Sequence, residues 1–153
     1  MSYRFTIIER VQFADTDMAG IVHFSNFFRY LERAEHAFFR SLGLSIWDNA
    51  PTIPEGDHVG WPRVHASCDY RAPLRFEDEF EIELLVEEIR SKTIRYLARF
   101  RKSDQSLVAE ARLVAACVQK ELGTGKMKAT IIPDRIRSRI TVAPPELLAP
   151  VPR

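Results

Sequence analysis

From Phe24 onward, apolar residues return at three- and four-residue spacing: Phe24, Phe27, Phe28, Leu31, Ala34, Phe38 and Leu42. That period marks one face of an α-helix. Arg29, Glu32, Arg33 and Arg40 fall mostly elsewhere, Ser25 or Asn26 is placed to cap the start, and Gly43 follows Leu42 as a helix stop. A helix over 25–42 would run roughly 27 Å. Its aromatic stripe has to be buried against a broad apolar surface, and no second helix of that length is available to supply it.

Strands must supply it instead. Residues 3–13 set Tyr3, Phe5, Ile7, Val11 and Phe13 on alternate positions, with Glu9 on the apolar face marking an end or a bulge. Alternating runs return at 64–72, 79–87, 94–101 and 107–118. The connections at 90–92 and 103–106 are short, which predicts antiparallel neighbours. Glu79, Glu81 and Glu83 then meet Arg95, Arg99 and Arg101 across a solvent face. The run 107–118 is apolar on both faces, as expected of a central strand or one covered by a partner subunit. Residues 48–62, with Pro51, Pro54, Gly56, Gly60 and Pro62, read as a loop long enough to wall or cover a pocket. A turn follows Gly123-Thr124-Gly125, Pro133-Asp134 opens a short helix, and residues 143–153, with Pro144, Pro145, Pro150 and Pro152, read as a loose tail after a domain over 1–142. The sum is an α+β domain: an antiparallel sheet of about five strands curved around one long central helix. Its open edges invite pairing into dimers.

A chain of 153 residues makes one domain. The net charge of +1 gives no electrostatic case for nucleic acid or an anionic membrane, so any anion site must be local. Cys68 and Cys117 form no framework and no C-x-x-C pair, and no long apolar run or leader-like start is present, so the expectation is a cytoplasmic protein with reduced thiols and no membrane span.

The chemistry concentrates just ahead of the helix, in Val11 to Phe27, where Asp15, Asp17 and Gly20 precede its first turn. A carboxylate beside a helix N-terminus sits next to backbone N–H donors, a combination suited to attacking and polarising a carbonyl. The bland alternative is that both aspartates merely cap and solvate a turn. A calcium loop is excluded by spacing, since Ala19 and Asn26 stand where that loop needs an oxygen ligand and a bidentate Glu. His23, His36, His58 and His65 have no zinc-ligand spacing, and no G-x-S-x-G serine motif is present. His23, at the helix start, reads first as a capping or packing residue. Arg90 and Lys92, on a strand connection, read either as a solvated turn or as a local phosphate clamp.

The run Phe13-Ala14-Asp15-Thr16-Asp17-Met18-Ala19-Gly20-Ile21-Val22, with Asn26-Phe27 and Arg29-Tyr30-Leu31-Glu32, resembles the hotdog-fold acyl-CoA thioesterases, in particular the hydroxybenzoyl-CoA and Tol-Pal-associated groups. The resemblance extends over about residues 3–130 and implies a hotdog fold and hydrolysis of a small or aromatic acyl-CoA. It implies that Asp17, in the loop closed by Gly20, is nucleophile or general base, and that the Phe24 N–H polarises the thioester carbonyl. It places His23 beside the substrate, and Arg90, Ser91 and Lys92 at the coenzyme phosphates. Ser91 stands where the hydroxybenzoyl enzyme has a basic residue, and His23-Phe24 where it has Trp-Tyr. A second thioesterase group uses a helix glutamate, for which Glu32 and Glu35 qualify. The resemblance further implies no metal and no bound cofactor, coenzyme A being part of the substrate, and a homodimer or homotetramer with sites between subunits. The competing readings are a hotdog module that binds acyl-CoA or acyl carrier protein without hydrolysing it, and an assembly protein.

Overall fold

A computed structural model describes residues 1–152. In chain order it contains β1 (Arg4–Arg10), α1 (Asn26–Ser41), β2 (Val59–Gly60), β3 (Arg63–Tyr70), β4 (Glu79–Ile89), β5 (Thr93–Lys102), β6 (Leu107–Ala116), β7 (Val118–Lys120), β8 (Met127–Ala129), α2 (Asp134–Arg137) and α3 (Pro145–Leu148). Five antiparallel strands form the main sheet in the order β1-β4-β5-β6-β3, and a side sheet runs β2-β7-β8. The doubly apolar run over 107–118 thus contributes an interior strand, while β5 is the central one. Part of the 48–62 loop is regular after all: a 3-10 turn at Glu55–Asp57 and the short β2, which pairs with β7.

Helix α1 lies across the concave face, packed on β1, β4 and β6. Its buried residues are Phe27, Tyr30, Leu31, Ala34, Glu35, Phe38 and Phe39. The stripe is therefore rotated from the one expected: Phe24 precedes the helix and is 61% exposed. Opposite it the strands present Phe80, Ile82, Leu84, Ile94, Tyr96, Phe100 and Ala111. Burying one such aromatic or aliphatic side chain contributes about 1.5–3 kcal/mol. β1 ends at Arg10; Phe13, expected on the buried face, is 77% exposed in a 3-10 turn over Phe13–Asp15.

The convex face carries the glutamate–arginine ladder, but it is not a solvent face. Glu83 bonds Arg4 at 3.0 Å and Arg101 at 2.7 Å, and Arg99 bonds Glu110 at 3.0 Å. Arg99 also donates to the carbonyls of Leu147 and Ala149 at 2.6 and 2.7 Å. The segment read as a loose tail is thereby held down, its Ala143, Leu147 and Leu148 packing on Leu85 and Leu97. Among the described residues no helix is long and apolar enough to cross a membrane.

Candidate active site

The two aspartates ahead of α1 have different surroundings. Asp15 Oδ2 accepts from the Gln12 N–H at 2.9 Å and from the Tyr30 hydroxyl at 2.8 Å. Its carbonyl accepts from the His23 N–H at 2.9 Å and the Asn26 amide at 2.8 Å. Asp15 therefore fastens the loop to the helix. Burial first, then this bond, raises the Tyr30 phenol well above its ordinary pKa. Asp17 is half-buried, and among the described residues only its Oδ1 is engaged, accepting from the Ala19 N–H at 2.8 Å.

The loop folds back on itself: the Asp17 N–H donates to Ile21 O at 2.9 Å and the Gly20 N–H to Asp17 O at 3.0 Å. Gly20 has φ +78°, the left-handed backbone that glycine adopts without strain. The turn sets the Asp17 side chain on the wall of a cavity of about 470 Å³, lined also by Ile21, Phe24, Phe27, Tyr70 and Arg71.

Neither proposed cap closes the helix start. The Ser25 backbone is helical, its hydroxyl lies 2.7 Å from His23 Nδ1, and the Asn26 amide is spent on Asp15. Among the described residues the Phe24 N–H donates to no protein acceptor. Its carbonyl accepts from the Tyr70 hydroxyl at 2.8 Å, which anchors the next peptide, Phe24–Ser25. Burial pushes the Tyr70 phenol up to about 12, so it remains a donor at neutral pH. The His23 ring lies 4.6 Å from that of Phe24.

Asp17, Gly20, His23 and Phe24 are thus brought together at one end of the sheet. Arg90, Ser91 and Lys92 are not: all exposed, they form the β4–β5 turn at the far end. Eleven residues of β4 separate that turn from the Asp17 end, roughly 35 Å at the rise of an extended strand. Glu35 lies further along α1, buried, with Oε1 and Oε2 at 2.5 and 3.1 Å from the Arg63 guanidinium. Burial pushes its carboxyl up to about 7 and the Arg63 guanidinium offsets only part of that rise. Glu32 is exposed, 3.7 Å from the same guanidinium. Tyr70 and Arg71 line the cavity without having stood out in the sequence, where both end an ordinary alternating run.

A model of the thioesterase-like superfamily matches residues 11–151. The chain is 33% identical over 93 residues to a 4-hydroxybenzoyl-CoA thioesterase of Pseudomonas sp., covering 61% of this chain and 64% of that protein. It is 30% identical over 104 residues to a 1,4-dihydroxy-2-naphthoyl-CoA hydrolase of Prochlorococcus marinus, covering 66% and 68%. The chain thus spans slightly less than two thirds of the length of the first of these relatives. A solved 1,4-dihydroxy-2-naphthoyl-CoA thioesterase from Synechocystis superposes with a TM-score of 0.75 at 26% identity, covering 89% of this chain and 94% of that one.

Proposed function

The chain belongs to the thioesterase-like superfamily and has the hotdog fold, and from that premise we propose that it hydrolyses aromatic acyl-CoA thioesters to the free acid and coenzyme A. The observation that carries this reading is the pairing of a half-buried, nearly unengaged Asp17 carboxylate with the unoccupied Phe24 N–H at one apolar cavity. The relatives named above act on aromatic acyl-CoAs, and the cavity walls of Phe24, Phe27 and Tyr70 suit an arene.

The thioester carbonyl oxygen would lie against the Phe24 N–H. Charge that develops there in the tetrahedral transition state meets a fixed donor and the positive end of the α1 dipole. Loss of one such donor typically costs about 2.7–4 kcal/mol of barrier. Asp17 delivers the attack, either directly on the carbonyl carbon through a mixed anhydride or by taking a proton from an attacking water. In both routes the C–S bond breaks and coenzyme A leaves as the thiolate; in the first, water then cleaves the anhydride, which releases the free acid and restores the Asp17 carboxylate. The chemistry calls for no metal and no cofactor beyond the coenzyme of the substrate.

The far placement of Arg90 and Lys92 suits a dimer. β3 is an edge strand whose residues are nearly all exposed. β3 runs toward the Asp17 end, ending at Tyr70, while β4 runs away from it. Antiparallel pairing of β3 with its copy about a two-fold axis inverts the second subunit. Arg90 of the partner subunit and Lys92 of the partner subunit then arrive at the Asp17 end, where they can hold coenzyme phosphates.

The test is thiol release from a panel of short-chain, long-chain and aromatic acyl-CoAs by wild type and Asp17→Asn. Wild type should turn over the aromatic members, and Asp17→Asn should lose at least about 10³-fold in kcat while still binding them. Asp17→Asn activity within a few-fold of wild type removes Asp17 from the chemistry. Binding of acyl-CoA without hydrolysis by wild type would make the protein a binding module.

A further inference from the structure

We infer that Arg71 selects the acyl group: the cavity beside Asp17 takes an aromatic acyl thioester bearing a carboxylate on its ring, and the Arg71 guanidinium holds that carboxylate. The inference rests on the thioesterase reading above and narrows it to a substrate class.

The lining of the cavity contains two charged side chains, Asp17 and Arg71. Asp17 is taken up by the chemistry. Arg71 is fixed at the end of β3, where its N–H and that of Ala72 both donate to Val108 O, at 2.8 and 3.1 Å. Arg71 is exposed, and among the described residues its guanidinium has little to hold. Nη1 lies 3.4 Å from the carbonyl oxygens of Val151 and Pro152, and Nη2 3.4 Å from that of Val151, long contacts to neutral acceptors. A guanidinium donates through up to five N–H groups and accepts nothing, and its fork matches the two oxygens of a carboxylate. The group it would read is therefore an oxygen acceptor, and an anionic one is favoured over a phenol hydroxyl. A cation drawn against apolar walls as the cavity fills needs a compensating charge.

The remaining lining fixes what carries that carboxylate. Phe27 and Tyr70 stand nearly perpendicular with centroids 5.2 Å apart, and Phe24 adds a third, exposed ring. A flat ring laid against these walls gains edge and face contacts that a flexible chain does not. Charge also sets the orientation. The Asp17 carboxylate repels a second anion beside it, so the substrate carboxylate is driven to the Arg71 end and the thioester to the Asp17 end. Because the net charge is only +1, selection of an anionic acyl group has to come from a local cation such as this one.

The experiment compares kcat/KM for benzoyl-CoA and for 3- and 4-carboxybenzoyl-CoA in wild type, Arg71→Gln and Arg71→Lys. Wild type should favour one carboxylated thioester over benzoyl-CoA by about tenfold or more, the usual worth of a charge-assisted bidentate contact. Arg71→Gln should collapse that ratio toward unity, mainly through KM. Arg71→Lys, which keeps the charge without the fork, should retain part of it and serves alone if the Gln variant does not fold. A wild type with no preference for the carboxylated thioesters, or a preference that survives both substitutions, overturns the role of Arg71 and leaves the thioesterase reading standing. Failure of wild type to hydrolyse all three overturns both.

Discussion

Asp15 and Asp17 are two residues apart and chemically identical, yet the fold surrounds them differently. Asp15 spends its carboxylate on the Gln12 N–H and the Tyr30 hydroxyl, and Tyr30 is fully buried. Asp15→Ala should therefore lower stability by about 1–3 kcal/mol, because it leaves a buried phenol without its acceptor. For a chain of this length that is a fall of about 2–4 °C in Tm per kcal/mol, measurable by calorimetry. Asp17→Asn should leave Tm nearly unchanged while abolishing turnover. Equal melting shifts for the two variants would erase the distinction. The distinction was not legible in the sequence. It depends on Tyr30 lying beneath Asp15, and in the D-x-D-x-x-G run both carboxylates look equally available. The resemblance implied Asp17; what the structure adds is the physical reason Asp15 is committed elsewhere.

At the scale of elements, the Glu35–Arg63 pair ties α1 to β3. The Glu35 carboxyl is pushed up to about 7 from an ordinary value of 4.5. Between those pH values the folded protein binds more protons at this group than the unfolded chain does. By linkage, its contribution to stability is greatest below about pH 4.5 and is lost as pH rises toward 7. Urea midpoints measured across that range should carry a declining component that Glu35→Gln removes. A component unchanged in Glu35→Gln would assign it to other groups. Elements themselves were largely readable: periods of two and of 3.6 located β1, α1 and the four later main-sheet strands to within a few residues. Their surroundings were not. The β3 run alternates like its neighbours, but its lack of a partner on one side is a property of strand order, which periodicity does not encode. The proline-rich segment lacks any periodic signal, and it is ordered by Arg99, a residue some fifty positions earlier, donating to two of its carbonyls.

The main sheet ends in two edge strands, β1 and β3, of which β3 is nearly all exposed, and Asp17 and the Arg90–Lys92 turn lie at opposite ends of that sheet. The antiparallel self-pairing of β3 proposed above would cover the exposed edge and bring those two ends together. Ala66→Glu with Ser67→Glu, both exposed on that edge, sets like charges against each other across the two-fold axis. The double variant should sediment as a monomer, keep its far-ultraviolet circular dichroism and lose acyl-CoA turnover. A fully active wild type that sediments as a monomer would refute the shared site. The strapped convex face has a practical consequence of another kind. The strap carries the backbone from its contacts with Arg99 round to Val151 and Pro152, beside Arg71 at the rim of the cavity that Asp17 lines. Loosening the strap at Arg99 would therefore also release the Val151 and Pro152 carbonyls that Arg71 meets, so that a change on the convex face reaches the cavity rim.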